Sequence, residues 1–93
     1  MANPITGTFS ATGASASAAR QDDFSISLEG FGTATVQLQK SYDNGATWKV
    51  VKSYTADVEE LAYEPEGGIK YRLECTAWTS GDIEYRIGRG FQR

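Results

Sequence analysis

Hydrophobic and polar residues alternate with a period of two along most of the chain. The clearest case is residues 32–54. Ala34, Val36 and Leu38 interleave with Thr33, Thr35, Gln37 and Gln39, and after a polar interval Trp48 and Val50 flank Lys49. Each run has the pattern of a strand with one buried face. Asp43, Asn44 and Gly45 lie between them, and these residue types favour turns, so the stretch predicts a β-hairpin. Phe24, Ile26 and Leu28 alternate with Ser25, Ser27 and Glu29 in another amphipathic strand. Gly30-Phe31-Gly32 then predicts a tight turn with Phe31 packed over it.

Towards the C-terminus, Tyr71, Leu73, Cys75 and Ala77 share one face, and so do Ile83, Tyr85 and Ile87. A three-residue loop, Thr79-Ser80-Gly81, would pair Ala77 with Ile83, Cys75 with Tyr85 and Leu73 with Ile87, and would set Glu74 opposite Arg86. In that register Trp78 points outward. Phe24, Ile26, Leu28, Val36, Leu38, Trp48, Leu73, Cys75, Tyr85 and Ile87 form the expected core. Residues 55–63 read as a loop leading into a short strand, closed by Pro65 and Gly67-Gly68. Ile5, Thr6, Thr8 and Phe9 suggest a short strand. Residues 10–19 hold only Ser, Ala, Thr and Gly. They fit either a mobile arm or a strand whose small side chains let another backbone approach, in the same subunit or a neighbour. Arg20-Gln21-Asp22-Asp23 reads as a charged turn. About seven or eight short strands without a helix predict an all-β antiparallel sandwich, jelly-roll or immunoglobulin-like, or else a small barrel. Residues 1–20 form its arm or edge strand, and 21–93 its single domain.

Composition narrows the chemistry. Ninety-three residues allow one modest core. The formal charge of -3 argues against an electrostatic grip on nucleic acid or anionic membrane. There is no histidine to serve as general base or metal ligand, and the single cysteine, Cys75, excludes an internal disulfide. The first twenty residues lack a signal-peptide pattern, so synthesis is expected in the cytoplasm.

Residues 41–48 match Ser-x-Asp-x-Gly-x-Thr-Trp, and this octapeptide resembles the Asp-box of sialidases and other β-propellers. A propeller needs one such box per blade and this chain has one. Only the structural part carries over: Ser41, Asp43, Gly45, Thr47 and Trp48 build the hairpin, with Asp43 as loop staple, Gly45 in a left-handed conformation and Trp48 as anchor. Asp57, Glu59, Glu60, Glu64 and Glu66 form the densest acidic run. A glycosidase needs two carboxylates facing each other across a cleft, and calcium needs a dense loop of oxygen ligands. Neither pattern is present, so the run reads as solvated acidic surface. Cys75 reads as a small buried hydrophobe. Tyr42, Trp78 and Phe91 are the aromatics left for an interface or a sugar-stacking platform. No catalytic residue, metal or cofactor is expected.

With the strands placed, residues 24–30, 32–48 and 64–81 together resemble small virion proteins of tailed bacteriophages. The Ala/Ser/Thr/Gly-rich start is similar to that group too. The resemblance implies a non-enzymatic structural protein, a capsid decoration (cement) protein located in the virion. Its partners would be itself, as a homo-oligomer and on first guess a trimer, and the major capsid protein or other virion proteins. The alternative is a tail or fibre component that binds a receptor or carbohydrate.

Overall fold

The computed structural model describes residues 4–88, and they form two antiparallel sheets packed face to face. The strands in chain order are β1 (Ile5–Phe9), β2 (Gly13–Ala14), β3 (Ala18–Ala19), β4 (Asp22–Phe31), β5 (Ala34–Ser41), β6 (Lys49–Tyr54), β7 (Val58–Glu64), β8 (Lys70–Trp78) and β9 (Gly81–Ile87). The first sheet has the order β1-β9-β4-β7. The second has β2-β8-β5-β6, with β3 also on β8. Phe91 lies outside the described residues.

These orders follow from one long ribbon rolled up. β1 pairs with β9, β2 and β3 with β8, β4 with β7, and β5 with β6. Rolling then brings β4 against β9 and β5 against β8. With β2 and β3 counted as two halves of one interrupted strand, this is the eight-stranded jelly roll. The immunoglobulin-like alternative is set aside by the position of β9, which lies beside β4 and β1 and not beside β8.

The alternating residues build the core. Phe24, Ile26 and Leu28 of β4, Val36 and Leu38 of β5, Leu73 and Cys75 of β8, and Ile83 and Ile87 of β9 are all buried, joined by Ile5, Phe9, Tyr54, Ile69 and Tyr71. Phe24 tilts against Tyr71 with ring centroids 4.8 Å apart. Tyr85 is half-buried and stacks on Phe9 at 4.4 Å. Its ring crosses β1 over Gly7, where a Cβ would collide with the phenol.

Several expectations are corrected. β8 and β9 do not form a hairpin, because the link between them crosses from one sheet to the other. Glu74 and Arg86 therefore lie in different sheets; Glu74 accepts instead from Gln39 Nε2 at 2.8 Å. A bulge leaves Thr76 unpaired between Thr35↔Ala77 and Val36↔Cys75. It reverses the alternation, so Ala77 is exposed and Trp78 takes the face of Ala34. A second bulge, at Val51, and the long loop before it do the same to β6: Val50 is exposed, and Trp48 lies half-buried on the outer face, not in the core. β4 continues through Gly30 and Phe31, where β9 carries one extra residue opposite Gly30, so the turn falls one step later. There the β4–β5 and β8–β9 links pack backbone against backbone. A Cβ on Gly81, which has φ 110°, would strike the amide nitrogen of Gly32.

Residues 10–19 pair along β8 of their own chain. Ser15 N–H donates to Leu73 O at 2.7 Å, and Leu73 N–H returns a bond to Ser15 Oγ at 2.9 Å. Arg20 belongs to no charged turn. It is buried, and its guanidinium donates to the carbonyls of Gly88 at 2.6 Å, Ala19 at 2.9 Å and Ile87 at 3.4 Å. Burial lowers its pKa from the ordinary guanidinium range.

Candidate functional site

The β5–β6 loop is built around Ser41 and Asp43. Ser41 Oγ donates to Asp43 Oδ1 at 2.7 Å and accepts the Gly45 N–H at 2.8 Å. Asp43 Oδ1 also accepts the Thr47 N–H at 2.9 Å, and Asp43 Oδ2 accepts the Thr47 hydroxyl. The Thr47 and Ser41 hydrogen bonds hold the Asp43 carboxyl well below the usual carboxylate range. Asn44 and Gly45 take positive φ, 61° and 95°, which the tight reversal requires. Trp48 stacks under the Arg72 guanidinium at 4.3 Å. Arg72 Nε donates to Gln39 Oε1 at 2.7 Å, which ties the loop to the outer face of the second sheet. All five box residues thus serve loop geometry. An acid held ionised by three donors is poorly suited to proton transfer.

The acidic run is divided along β7 and does not form one surface. Asp57 Oδ1 accepts the N–H groups of Gly30 and Phe31 at 3.0 and 2.9 Å, holding β4 where it faces the β9 bulge. Glu59 accepts from Ser27 Oγ. Glu60 bridges Lys52 Nζ and Tyr54 Oη. Glu64, expected in solvent, is buried at the end of the sandwich. It accepts from Tyr71 Oη at 2.6 Å, Glu66 N–H at 3.1 Å and Lys40 Nζ at 3.4 Å, so it links the two sheets. The signal for its burial was parity, because Glu64 shares a face with Ala62 and Val58 on β7. Cys75 is buried and its thiol pKa is raised by burial, the state of an unreactive side chain. Among the described residues no buried side-chain nitrogen or oxygen lacks a hydrogen-bond partner.

Of the interface candidates, Trp78 is partly exposed but fastened, its Nε1–H donating to Gly81 O at 2.8 Å. Tyr42 is exposed beside the hairpin loop, with Lys40 Nζ 5.1 Å from its ring centroid. The structure brings neither to the other, since Trp78 stands opposite Ala34 at the start of β5 and Tyr42 follows Ser41 at its end.

The larger exposed apolar surface lies on β6 and β7. Leu61 and Tyr63 on β7 are 74% and 62% exposed, and Val50 and Val51 on β6 are 56% and 46% exposed. β6 and β7 are edge strands of different sheets, joined by residues 55–57 alone, and Lys52 and Tyr54 of β6 touch Glu60 of β7. These two edges therefore lie on one side of the sandwich, while β1 and the β2/β3 pair form the edges at the other ends of the two sheets. The available signal was the alternation of Leu61 and Tyr63 with Glu60, Ala62 and Glu64. It marks a strand but not which face meets water. No protein-family model, curated protein or solved structure matches the chain, so its role is read from this surface and from its own residues.

Proposed function

We propose that the chain is a non-enzymatic structural protein of a tailed-phage virion, a capsid decoration protein that acts as a homo-oligomer bound to the major capsid protein. The observation that carries this reading is the pair of neighbouring edge strands, β6 and β7, which carry four large apolar side chains in water, Leu61 and Tyr63 on the outer face of the first sheet and Val50 on that of the second, with Val51 at the β6 bulge. Monomeric domains guard their edges, because an unpaired strand with an apolar face recruits other strands. The loop, the bulges and the acidic run meanwhile have their polar groups engaged in holding the fold. The jelly roll itself hosts capsid proteins, lectins and cupins alike, so it supports assembly without selecting it. The virion part of the reading rests on the sequence resemblance.

Mixing the purified chain with empty capsids of the encoding phage and sedimenting them tests it. The chain is expected to travel with the capsids at saturating, symmetry-related stoichiometry. A chain that stays in the supernatant, or that is located only at the tail tip of purified particles, overturns the decoration reading in favour of a fibre or receptor-binding role.

A further inference from the structure

We infer that the chain self-associates through one specific contact: β6 of each copy pairs antiparallel with β7 of the next, about an axis running along the strands. The occupant of the open edge is thus a second copy of this chain.

Each edge has one partner among the described residues, β5 for β6 and β4 for β7, so each presents a free row of backbone N–H and C=O groups. Charge selects how two copies meet. β7 carries Glu59, Glu60 and Glu64 and no cation, while β6 carries Lys49 and Lys52 and no acid. β7 against β7 would set carboxylates side by side. β6 against β6 would set lysines together and put two bulged strands in register. β6 against β7 places opposite charges across the seam, as Lys52 and Glu60 already do within one chain.

Strand sense agrees. β5 is antiparallel to both β6 and β8, and β4 is antiparallel to both β7 and β9. The short 55–57 link makes β6 and β7 run in opposite directions. Rotation about an axis along the strands keeps their senses, so β6 of one copy meets β7 of the next antiparallel. Each first sheet then continues into the second sheet of its neighbour. Faces agree as well: Val50 shares the outer face of Gln39, Leu61 that of Ser25, and the two fall on the same side of the joined sheet. Because both edges lie on one side of the sandwich, two copies close the contact twice. A three-copy ring uses the same strand pair.

The inference rests on the assembly reading but is tested without capsids, so failure of self-association and failure of particle binding are separate results. Analytical ultracentrifugation of the purified full chain is expected to show a closed oligomer that weakens as salt rises, since screening removes the attraction across the seam. Leu61→Lys with Tyr63→Lys, both on exposed outward positions, should raise the dissociation constant about tenfold or more with an unchanged circular dichroism spectrum. A short bismaleimide should cross-link a mixture of Val50→Cys and Leu61→Cys chains, with Cys75 buried and silent, and neither variant alone. A monomer at all concentrations, an oligomer that tightens with salt, or cross-linking within one variant alone would overturn the contact.

Discussion

Glu64 is a carboxylate that the fold removes from water and keeps ionised. Burial by itself would raise its pKa, but the hydrogen bonds from Tyr71 and Glu66 and the charge of Lys40 outweigh burial and hold it below the ordinary 4.5. Burial and the same carboxylate push the Tyr71 phenol above 10.0. Glu60 is lowered too, first by its bond from Lys52 and then by that from Tyr54. For such groups the folded pKa lies below the unfolded one. Their stabilisation is complete above 4.5 and is lost as pH falls through the folded value. Glu64→Gln should lower stability at neutral pH by ~1–3 kcal/mol and flatten the loss of stability in acid. Urea denaturation at a series of pH values reads both, and an acid limb identical to wild type would remove Glu64 from its cause. Packing gives a second prediction at this scale. Leu38→Ala, at a fully buried position of β5, should cost ~2–5 kcal/mol, visible as a lower denaturation midpoint at unchanged slope.

At the scale of elements, the hairpin loop is a unit whose order depends on one side chain. Asp43→Ala removes the acceptor for the Thr47 amide and hydroxyl and one partner of Ser41. Amide hydrogen exchange at Thr47 should accelerate while that of Val36 and Leu38 in the strand stays near wild type. Equal acceleration at both places would mean that the loop and strand open together. This hairpin was legible from sequence because β5 and β6 are consecutive in one sheet, with a turn signal between them. The last two strands were equally legible as strands, but their pairing was not. Parity tests whether two strands could share a register, not whether they share a sheet, and a two-residue link serves a hairpin or a crossover equally well. The Thr76 and Val51 bulges add one residue each and leave no mark in composition. That is why Ala77, Trp78, Trp48 and Val50 fell on the wrong faces. The candidate site was less legible still. Leu61 and Tyr63 alternate properly for a buried face, but β7 turns Val58, Ala62 and Glu64 inward and leaves them on the outer face beside Ser25 and Asp23.

For the whole molecule, the rolled ribbon makes the N-terminal strands part of the body. Ile5 pairs with Ile87 and Phe9 with Ile83, so β1 closes the free side of β9. β2 and β3 cover the free side of β8, and Arg20 fastens the end of β9 through the carbonyls of Ile87 and Gly88. The small side chains of residues 10–19 suit a backbone laid close along β8, in the same subunit. An exchangeable arm could be removed at little cost to the domain, and assembly alone would suffer. The rolled sandwich predicts the opposite. Deleting residues 1–20 takes Ile5 and Phe9 out of the core, and each large buried side chain is worth ~2–5 kcal/mol when truncated. Two such losses match most of the ~5–15 kcal/mol that holds a domain together. Two new edges and the buried Gly88 and Ile87 carbonyls would be exposed besides. The truncated chain should therefore fail to fold, with collapsed amide dispersion in a proton–nitrogen correlation spectrum. A dispersed spectrum from residues 21–93, with the β5 and β8 amides protected, would instead make the N-terminal segment an appendage and return it to the role of an assembly arm.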